Sequence, residues 1–329
     1  MRSPRRHAAL VAAISVSLSL AACTSTGTSA EPDGEDSTTI KVGTLRGQPH
    51  FYAPYLYEDH TEDDLDIEVV ALDTAPALND ALASGSIDFA VGSITTTIAG
   101  AAAGRDVKIL AAAADGGSGI IGGSGIDSVQ DLVGKKVGYL ESSAQLVALR
   151  LVLERERVDV DDLSLVSLAP PEFFNAFQTG QIDAFAAPEI GVSLAIGAGG
   201  TPIADPYSTE IGRLNIALIA TGETIAEDAE LVQQVVDAHA ATTTYMAEHQ
   251  DEWLPEMVEQ YGGDEDVFAT ALDNFWMRAD LSPTYETQIA SLATQMARLG
   301  MIDAAPAVED LIDSSFASRE EPAESGAGS

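Results

Sequence analysis

The chain alternates short apolar, β-branched runs with stretches whose apolar positions recur every three or four residues. "TIKVGTL" (39–45) and "DIEVVAL" (66–72) read as strands. "APALNDALASG" puts Leu78 and Leu82 one helical turn apart and closes on Gly85, which predicts a helix with a glycine stop. "IDFAVG" (87–92) is an apolar strand, and "SITTTIAGAAAG" is a helix whose first residues are hydroxylic, as suits the unpaired amides of a helix start. "VKILAAAA" (107–114) is the next strand. Parallel strands need a crossover, and a helix supplies one, so this series predicts an α/β lobe with a mainly parallel sheet flanked by helices.

Past the glycine-rich "DGGSGIIGGSGIDS" (115–128) the pattern resumes with a strand at 136–140 and a long helix beginning at Ser142 or Ser143. That helix has Leu146, Leu149 and Leu153 on an apolar face and Val147, Arg150 and Glu154 on the other. "LSLVSLA", "EFFNAFQTG", "IDAFAAPE" and "VSLAIGAGG" continue the alternation as a second α/β lobe. "LNIALIA" (214–220) is one further strand, after which everything reads as helix. His239 shares an apolar stripe with Val232, Val236, Thr243 and Met246, and so reads as a core histidine rather than a ligand.

The ends differ in kind. Arg2, Arg5 and Arg6 precede an uncharged run from Ala8 to Leu20, the pattern of a secretory signal. A spanning helix needs about 20 apolar residues, and this run is shorter. Leu20-Ala21-Ala22-Cys23 resembles a bacterial lipobox, with Cys23, the sole cysteine, as the lipidated residue. The expectation is a signal peptide over 1–22, a disordered tether over 23–38 and a disordered tail over 317–329, since neither flank holds enough apolar surface to offset the entropy of ordering. Whether export is by the general or the twin-arginine route stays open.

Charge narrows the function. The chain has 16 Lys+Arg against 52 Asp+Glu, a net −36, and without Arg2, Arg5 and Arg6 the remainder stands at −39. No basic stripe interrupts the acids, which excludes a nucleic-acid partner. Self-repulsion of this size keeps a protein soluble and calls for salt to stabilise the compact state, so a salt-tolerant host is expected. Enzymatic signatures are missing: no H-E-x-x-H, no G-x-S-x-G, no paired Cys/His metal spacing. Gly117, Gly119 and Gly122 do fit G-x-G-x-x-G, but Gly123-Ser124-Gly125 follows where a helix should begin. The run reads as a hinge rather than a cofactor cradle; no cofactor and no metal are expected.

Four stretches, "ALNDALASGSIDFAVGSITTTIAGAAAGRDVKILAA", "SGIDSVQDLVGKKVGYLESSAQLVALRLVLE", "NAFQTGQIDAFAAPEIGVSLAIGAGG" and "HQDEWLPEMVEQYG", follow one another in the order seen in a known family. They resemble the type II periplasmic binding proteins of sulfonate, taurine, nitrate and thiamine-precursor uptake, which hand solutes to ABC importers. The resemblance runs over about residues 38 to 316. It implies the two-lobed type II periplasmic-binding-protein fold with a helical C-terminal part: a first lobe from 39–118, a second from 119–216, and a return to the first over 217–316. The crossings would lie near Gly119–Gly123 and Leu214–Ala220. It implies a monomeric, membrane-tethered solute receptor on the extracytoplasmic face, partnered by an ABC transporter permease. A secreted enzyme on the same scaffold, or a sensor for a membrane receptor, remains an alternative.

In open α/β lobes a ligand sits beyond the carboxyl ends of the strands. Those ends offer Gln48, His50 and Phe51 after the first strand, Ser93 and Thr95 after "IDFAVG", Ser142 and Ser143 after "KKVGYL", and Glu189 after "IDAFAA". Helix starts at Ser93–Thr95 and Ser142–Gln145 carry free N–H groups and partial positive charge, suited to a carboxylate or sulfonate, though each serine also serves as an ordinary N-cap. Glu189 matches the acid of the family's Trp-Glu-Pro-aromatic segment, but Pro188 replaces the aromatic and Ile190 the proline. At a cleft mouth Glu189 would suit an amine, so the expected guest is a small organic anion or zwitterion.

Overall fold

The computed structural model describes residues 39–61 and 65–320. Cys23, the signal segment, the tether and the end of the tail lie outside the described residues.

The first part builds β1 (Thr39–Leu45), β2 (Asp66–Leu72), α1 (Ala75–Ala83), β3 (Phe89–Ser93), α2 (Ile94–Ala102) and β4 (Val107–Gly116). The middle builds β5 (Ser118–Gly122), β6 (Lys136–Tyr139), α3 (Ala144–Arg155), β7 (Ser164–Ser167), α4 (Phe173–Gln178), β8 (Ala184–Pro188), α5 (Gly191–Gly197) and β9 (Thr201–Ala204). The last part adds β10 (Ile216–Thr221), α6 (Gly222–Glu227), α7 (Ala229–Glu248), α8 (Gln250–Tyr261), α9 (Glu265–Leu272), β11 (Phe275–Met277), α10 (Pro283–Arg298) and α11 (Val308–Leu311). Two sheets result, one in the order β11-β4-β10-β3-β1-β2 and the other β7-β6-β8-β5-β9.

Both sheets are mixed rather than mainly parallel. β1 runs parallel to β2 and β3, and β6 parallel to β7 and β8, as the strand–helix alternation requires. The strands that carry the chain between sheets break the pattern: β10 returns antiparallel between β3 and β4, and β5 lies antiparallel between β8 and β9. A chain that leaves along β4 and comes back along its neighbour must reverse direction, so the antiparallel pairing follows from the two crossings themselves.

The crossings fall slightly away from the expected segments. The first is at Gly117, between the end of β4 in one sheet and the start of β5 in the other, just ahead of Gly119–Gly123. Gly117 has φ 63°, and a Cβ there would collide with the Phe275 ring. Only glycine meets both demands. The second crossing occupies the stretch between Ala204 and Ile216, before the strand that was expected to make it. The glycine fingerprint is consumed by β structure: Gly119 and Gly122 pair with Ala187 and Ala184, and a Cβ on Gly119 would press on Val192 at 2.6 Å. Close sheet–helix packing, not a phosphate, explains them.

Strands buried on both faces form the cores. In β10, Ile216 and Leu218 join Phe89, Leu110, Val236, Trp253 and Met257 on one side, while Ala217 and Ile219 join Leu82, Ile98, Tyr285 and Leu292 on the other. His239 is part of this packing: its Nε2–H donates to the Ala112 carbonyl at 2.7 Å and its Nδ1 accepts from the Tyr57 hydroxyl at 2.7 Å. Burial lowers its pKa to about 4, which keeps the ring neutral in that arrangement.

Three expectations are corrected. The last part is not wholly helical, because Phe275–Met277 leave α9 to pair antiparallel with Ala114–Gly116 at the sheet edge. Val147, expected on a polar face, is fully buried: α3 turns Val147, Ala148 and Leu151 into the first lobe's core and Leu149, Val152 and Leu153 into the second's. A helix shared by two cores has no wide polar face. Finally, the chain remains attached past Phe316. The Ser318 carbonyl accepts from Leu281 N at 2.7 Å and Arg319 forks onto Glu286 at 2.6 and 3.2 Å.

Candidate functional site

Several of the segments singled out from the sequence meet at three backbone positions, Gly116, Gly117 and Ser118. On the first-lobe side, β3 ends at Ser93 and α2 begins; Ile94 N donates to the Asn215 carbonyl at 3.0 Å, and the Asn215 side chain donates to the Gly116 carbonyl at 2.9 Å. On the second-lobe side, the first turn of α3 reaches the same spot, with Gln145 Nε2 donating to Ser118 Oγ at 2.8 Å. Glu189, at the end of β8, donates its own N–H to the Gly117 carbonyl at 2.9 Å. The start of α2, the start of α3 and the β8–α5 turn are therefore tied to one crossing.

The two helix starts are not equivalent. Ser143 is the N-cap of α3: its hydroxyl donates to the Leu140 carbonyl at 2.7 Å and accepts from Leu146 N at 3.1 Å. Ser142 precedes it in a left-handed turn, φ 54°, and is exposed. The capping role thus belongs to Ser143, and Ser142 is the hydroxyl left facing solvent. Ser93 occupies the N-cap position of α2 but does not cap it; its hydroxyl instead lies 2.8 Å from that of the buried Thr95. Its carbonyl accepts from the hydroxyls of Thr96 at 3.0 Å and Thr97 at 2.9 Å. An uncapped helix start with two neighbouring hydroxyls has the donor set that an oxyanion needs.

Gln48 is half-buried at the start of the turn that follows β1. His50 and Phe51 are buried, and Phe51 belongs to the first lobe's core. His50 stacks on Phe275, whose backbone pairs with Gly116, so the imidazole also belongs to the crossing region. Burial lowers its pKa to about 3, and its Nδ1 is buried with no hydrogen-bond partner among the described residues. The ring is neutral and has no bound proton to give at neutral pH beyond its single N–H. Arg46, the cation that follows β1, is engaged elsewhere: Nε lies 3.1 Å from Asp73 Oδ1 and Nη2 donates to the Ala71 carbonyl at 2.8 Å.

Glu189 is not at an open mouth. It is buried, Oε2 accepts from Ser193 N at 3.0 Å at the start of α5, and Oε1 accepts from Asn274 Nδ2 at 3.0 Å. Burial raises its pKa, while the bonds from Asn274 and Ser193 oppose the rise. A carboxylate taken out of water survives only when its lone pairs are occupied, which is why both oxygens point at donors within the protein.

Asn274, Tyr207, Ser118 and Asn215 complete the arrangement and were not read from the sequence. Tyr207 OH accepts from Ser118 N at 2.9 Å and lies 2.8 Å from Asn274 Oδ1; Asn274 Nδ2 also donates to the Ser118 carbonyl at 3.2 Å. These residues come from segments far apart in the chain and carry no local motif. Among the described residues, no three His, Cys, Asp or Glu side chains converge as a metal-binding group.

A family model described as "NMT1/THI5 like" matches residues 60–253, more than half of the chain. A Bacillus subtilis (strain 168) protein named "Putative aliphatic sulfonates-binding protein" is 25% identical over 321 residues, covering 93% of this chain and 95% of that one. Among solved structures, the periplasmic aliphatic sulphonate binding protein SsuA of Escherichia coli superposes with a TM-score of 0.74 at 19% identity, covering 84% of this chain and 98% of that chain. The alkanesulfonate-binding protein SsuA of Xanthomonas axonopodis pv. citri, bound to MOPS, gives 0.72 at 18%, covering 85% and 99%. The structural likenesses carry the fold.

Proposed function

Because the chain belongs to the NMT1/THI5-like family, we propose that it is the solute-binding component of an ABC importer, taking a small organic anion or zwitterion between its lobes. Sulfonate-like, nitrate-like and thiamine-precursor-like guests all fit that description. The full-length similarity to a protein named for aliphatic sulfonates supports the first of these. The observation that carries the reading is the convergence of two helix starts, at Ser93–Thr95 and Ser142–Gln145, on the Gly116–Ser118 crossing.

The division of labour follows from the site. The uncapped amides of α2, with the Ser93 and Thr95 hydroxyls, receive the anionic group; Ser142 and the first turn of α3 close from the other lobe; Gln48, half-buried after β1, is the further polar group assigned to the guest. Neutral donors and partial charges suffice, since helix ends favour anions by about 0.3–1 kcal/mol each at exposed sites and more when enclosed. Closing the lobes supplies contacts made only in the shut state, which is what couples capture to presentation at a permease. No nucleophile, acid or base stands in this arrangement: His50 is neutral and buried, and Glu189 is spent on two donors. The reading is therefore of a receptor rather than an enzyme.

Lipidation at Cys23 would hold the protein on the extracytoplasmic face of the membrane, and the acidic stretch after it would serve as the tether. Among the described residues no helix is long and apolar enough to cross a membrane. A thermal-shift screen in molar salt with taurine, linear alkanesulfonates, nitrate and aminopyrimidines tests the reading. Stabilisation by at least one compound is expected. A flat response to all of them, with hydrolysis or transfer activity on any, would favour an enzyme instead.

A further inference from the structure

Asn274 stands just past α9, in the first lobe, yet every polar group of its side chain is spent on the second lobe or on the crossing that returns from it. Nδ2 donates to Glu189 Oε1 at 3.0 Å, in the β8–α5 turn, and to the Ser118 carbonyl at 3.2 Å, at the start of β5. Oδ1 lies 2.8 Å from the Tyr207 hydroxyl, on the second crossing. Its backbone carbonyl accepts from Gly117 N at 2.7 Å. One residue thus bonds two separate segments of the opposite lobe and both crossings.

The orientation of the amide is forced by its neighbours. Both partners of Nδ2 are acceptors only, a carboxylate oxygen and a carbonyl, so a flipped amide would set oxygen against oxygen twice. The Tyr207 hydroxyl accepts from Ser118 N at 2.9 Å, and its proton goes to Asn274 Oδ1 at 2.8 Å in preference to the Ser118 carbonyl at 3.1 Å, which Asn274 Nδ2 already serves. The bonds from Ser118 N–H to Tyr207, from Tyr207 to Asn274 and from Asn274 to Glu189 run in one direction, and Ser193 N–H donates to Glu189 from the other side, so the network converges on the carboxylate. Glu189 is 4% exposed, so losing a donor would leave a buried carboxylate short of a partner.

We propose that Asn274 is a positioning residue for the candidate site, holding the β8–α5 turn and both crossings together so that the lobes rest near their closed arrangement before any guest arrives. The hydrophobic seam of α3 joins the lobes on one side of the crossings, through Val147, Ala148 and Leu151. Asn274 joins them on the other through the hydrogen bonds above, beside the apolar contact that Ile190 makes with the first lobe's core. The α3 seam is apolar and buried, whereas the Asn274 side rests on polar contacts that a change of one side chain removes. Opening therefore pivots on α3, and Asn274 sets how often it happens. The inference concerns the empty protein and does not depend on which solute it takes.

Pulsed electron spin resonance on the ligand-free full chain tests it, with labels at Ala83→Cys in the first lobe and Val133→Cys in the second, both exposed positions, in a Cys23→Ser background. The unaltered hinge gives one narrow distance population. Asn274→Leu, of similar volume, broadens it and moves it to a longer distance. Asn274→Asp moves it further, because a second carboxylate then faces Glu189, and adding Glu189→Gln to Asn274→Asp brings the short population back. Tyr207→Phe, which keeps the ring and deletes one hydroxyl, shifts it in the same direction by less. Circular dichroism and a cooperative melt confirm that each variant is folded; a merely structural asparagine would lower the melt without the short distance returning in the double variant. An unchanged distance in folded Asn274→Leu and Asn274→Asp overturns the proposal.

Discussion

The His50 imidazole lies nearly parallel over the Phe275 ring, with centroids 4.1 Å apart and planes 20° apart. One ring follows β1 and the other opens β11, so the stack ties the turn after β1 to the strand that pairs with Gly116. Burial lowers the His50 pKa to about 3, from an ordinary 6.5. The native state then refuses a proton that the unfolded chain takes up, and stability falls as pH drops from 6.5 toward 3. The slope from this ring is at most about 1.4 kcal/mol per pH unit. His50→Phe is expected to flatten the fall in melting temperature between about pH 6.5 and 4, as followed by calorimetry.

Asp115 works in the opposite sense. It is 2% exposed, and burial raises its pKa to about 6 despite Arg278 Nη1 at 2.7 Å. A carboxyl whose folded pKa exceeds its unfolded value near 3.8 favours the native state most at low pH, and loses that contribution as pH rises from 3.8 through 6. Asp115→Asn removes this dependence, so its stability relative to the parent increases between about pH 4 and pH 7. Urea midpoints across that range give the sign directly.

Gly117→Ala places a Cβ against the Phe275 ring in a residue with φ 63°. The substitution combines overpacking, at about 1–3 kcal/mol, with the left-handed penalty of about 1–2 kcal/mol. The midpoint of urea unfolding should fall accordingly, whereas Gly125→Ala, with φ 77° and open space around it, costs the backbone term alone.

The seam between the lobes separates packing from charge. Leu151, buried in the first lobe's core although it belongs to the second lobe's helix, should cost about 2–5 kcal/mol when cut to Ala. The neighbouring Arg298–Glu154 pair also spans the lobes, at 2.6 Å, but both side chains are largely exposed. Glu154→Gln is expected to cost about 1 kcal/mol or less, with the difference shrinking further in molar salt.

Much of the architecture was legible because period-2 and period-3.6 patterns are local. β1 to β4, α1 to α3 and the N-cap region at Ser142–Ser143 could be placed from runs of a few residues. What failed was everything decided by a neighbour from elsewhere in the chain. Val147 is polar-faced only if α3 has one core to serve, and it has two. Phe275–Met277 read as helix until β4 offers an unpaired edge. Glu189 follows β8 as read, yet it is buried rather than at a cleft mouth, because its surroundings depend on Asn274, which sits 85 residues later and has no motif to announce it. The glycine run was legible as a hinge, and Gly117 is the first crossing, but that Gly119 and Gly122 belong to a strand depends on partners far along the chain.

The charge of the chain makes a separate prediction. With a net −36 over the whole sequence, the compact state is destabilised by self-repulsion that counterions relieve. The Debye length falls from about 10 Å at 0.1 M salt to about 3 Å at 1 M. The melting temperature should rise steadily over that interval with potassium chloride; a constant value would mean that the acids are already compensated.

The most direct test of the central claim is titration calorimetry of taurine, propanesulfonate, nitrate and an aminopyrimidine against the protein and against Thr95→Val and Ser142→Ala, in molar salt. At least one compound is expected to bind in the micromolar range, corresponding to about −8 kcal/mol, with affinity falling about tenfold or more in Thr95→Val, the loss of one hydrogen bond to a charged group. Binding that survives both substitutions unchanged, or no heat from any of the four, would contradict a solute site at the two helix starts.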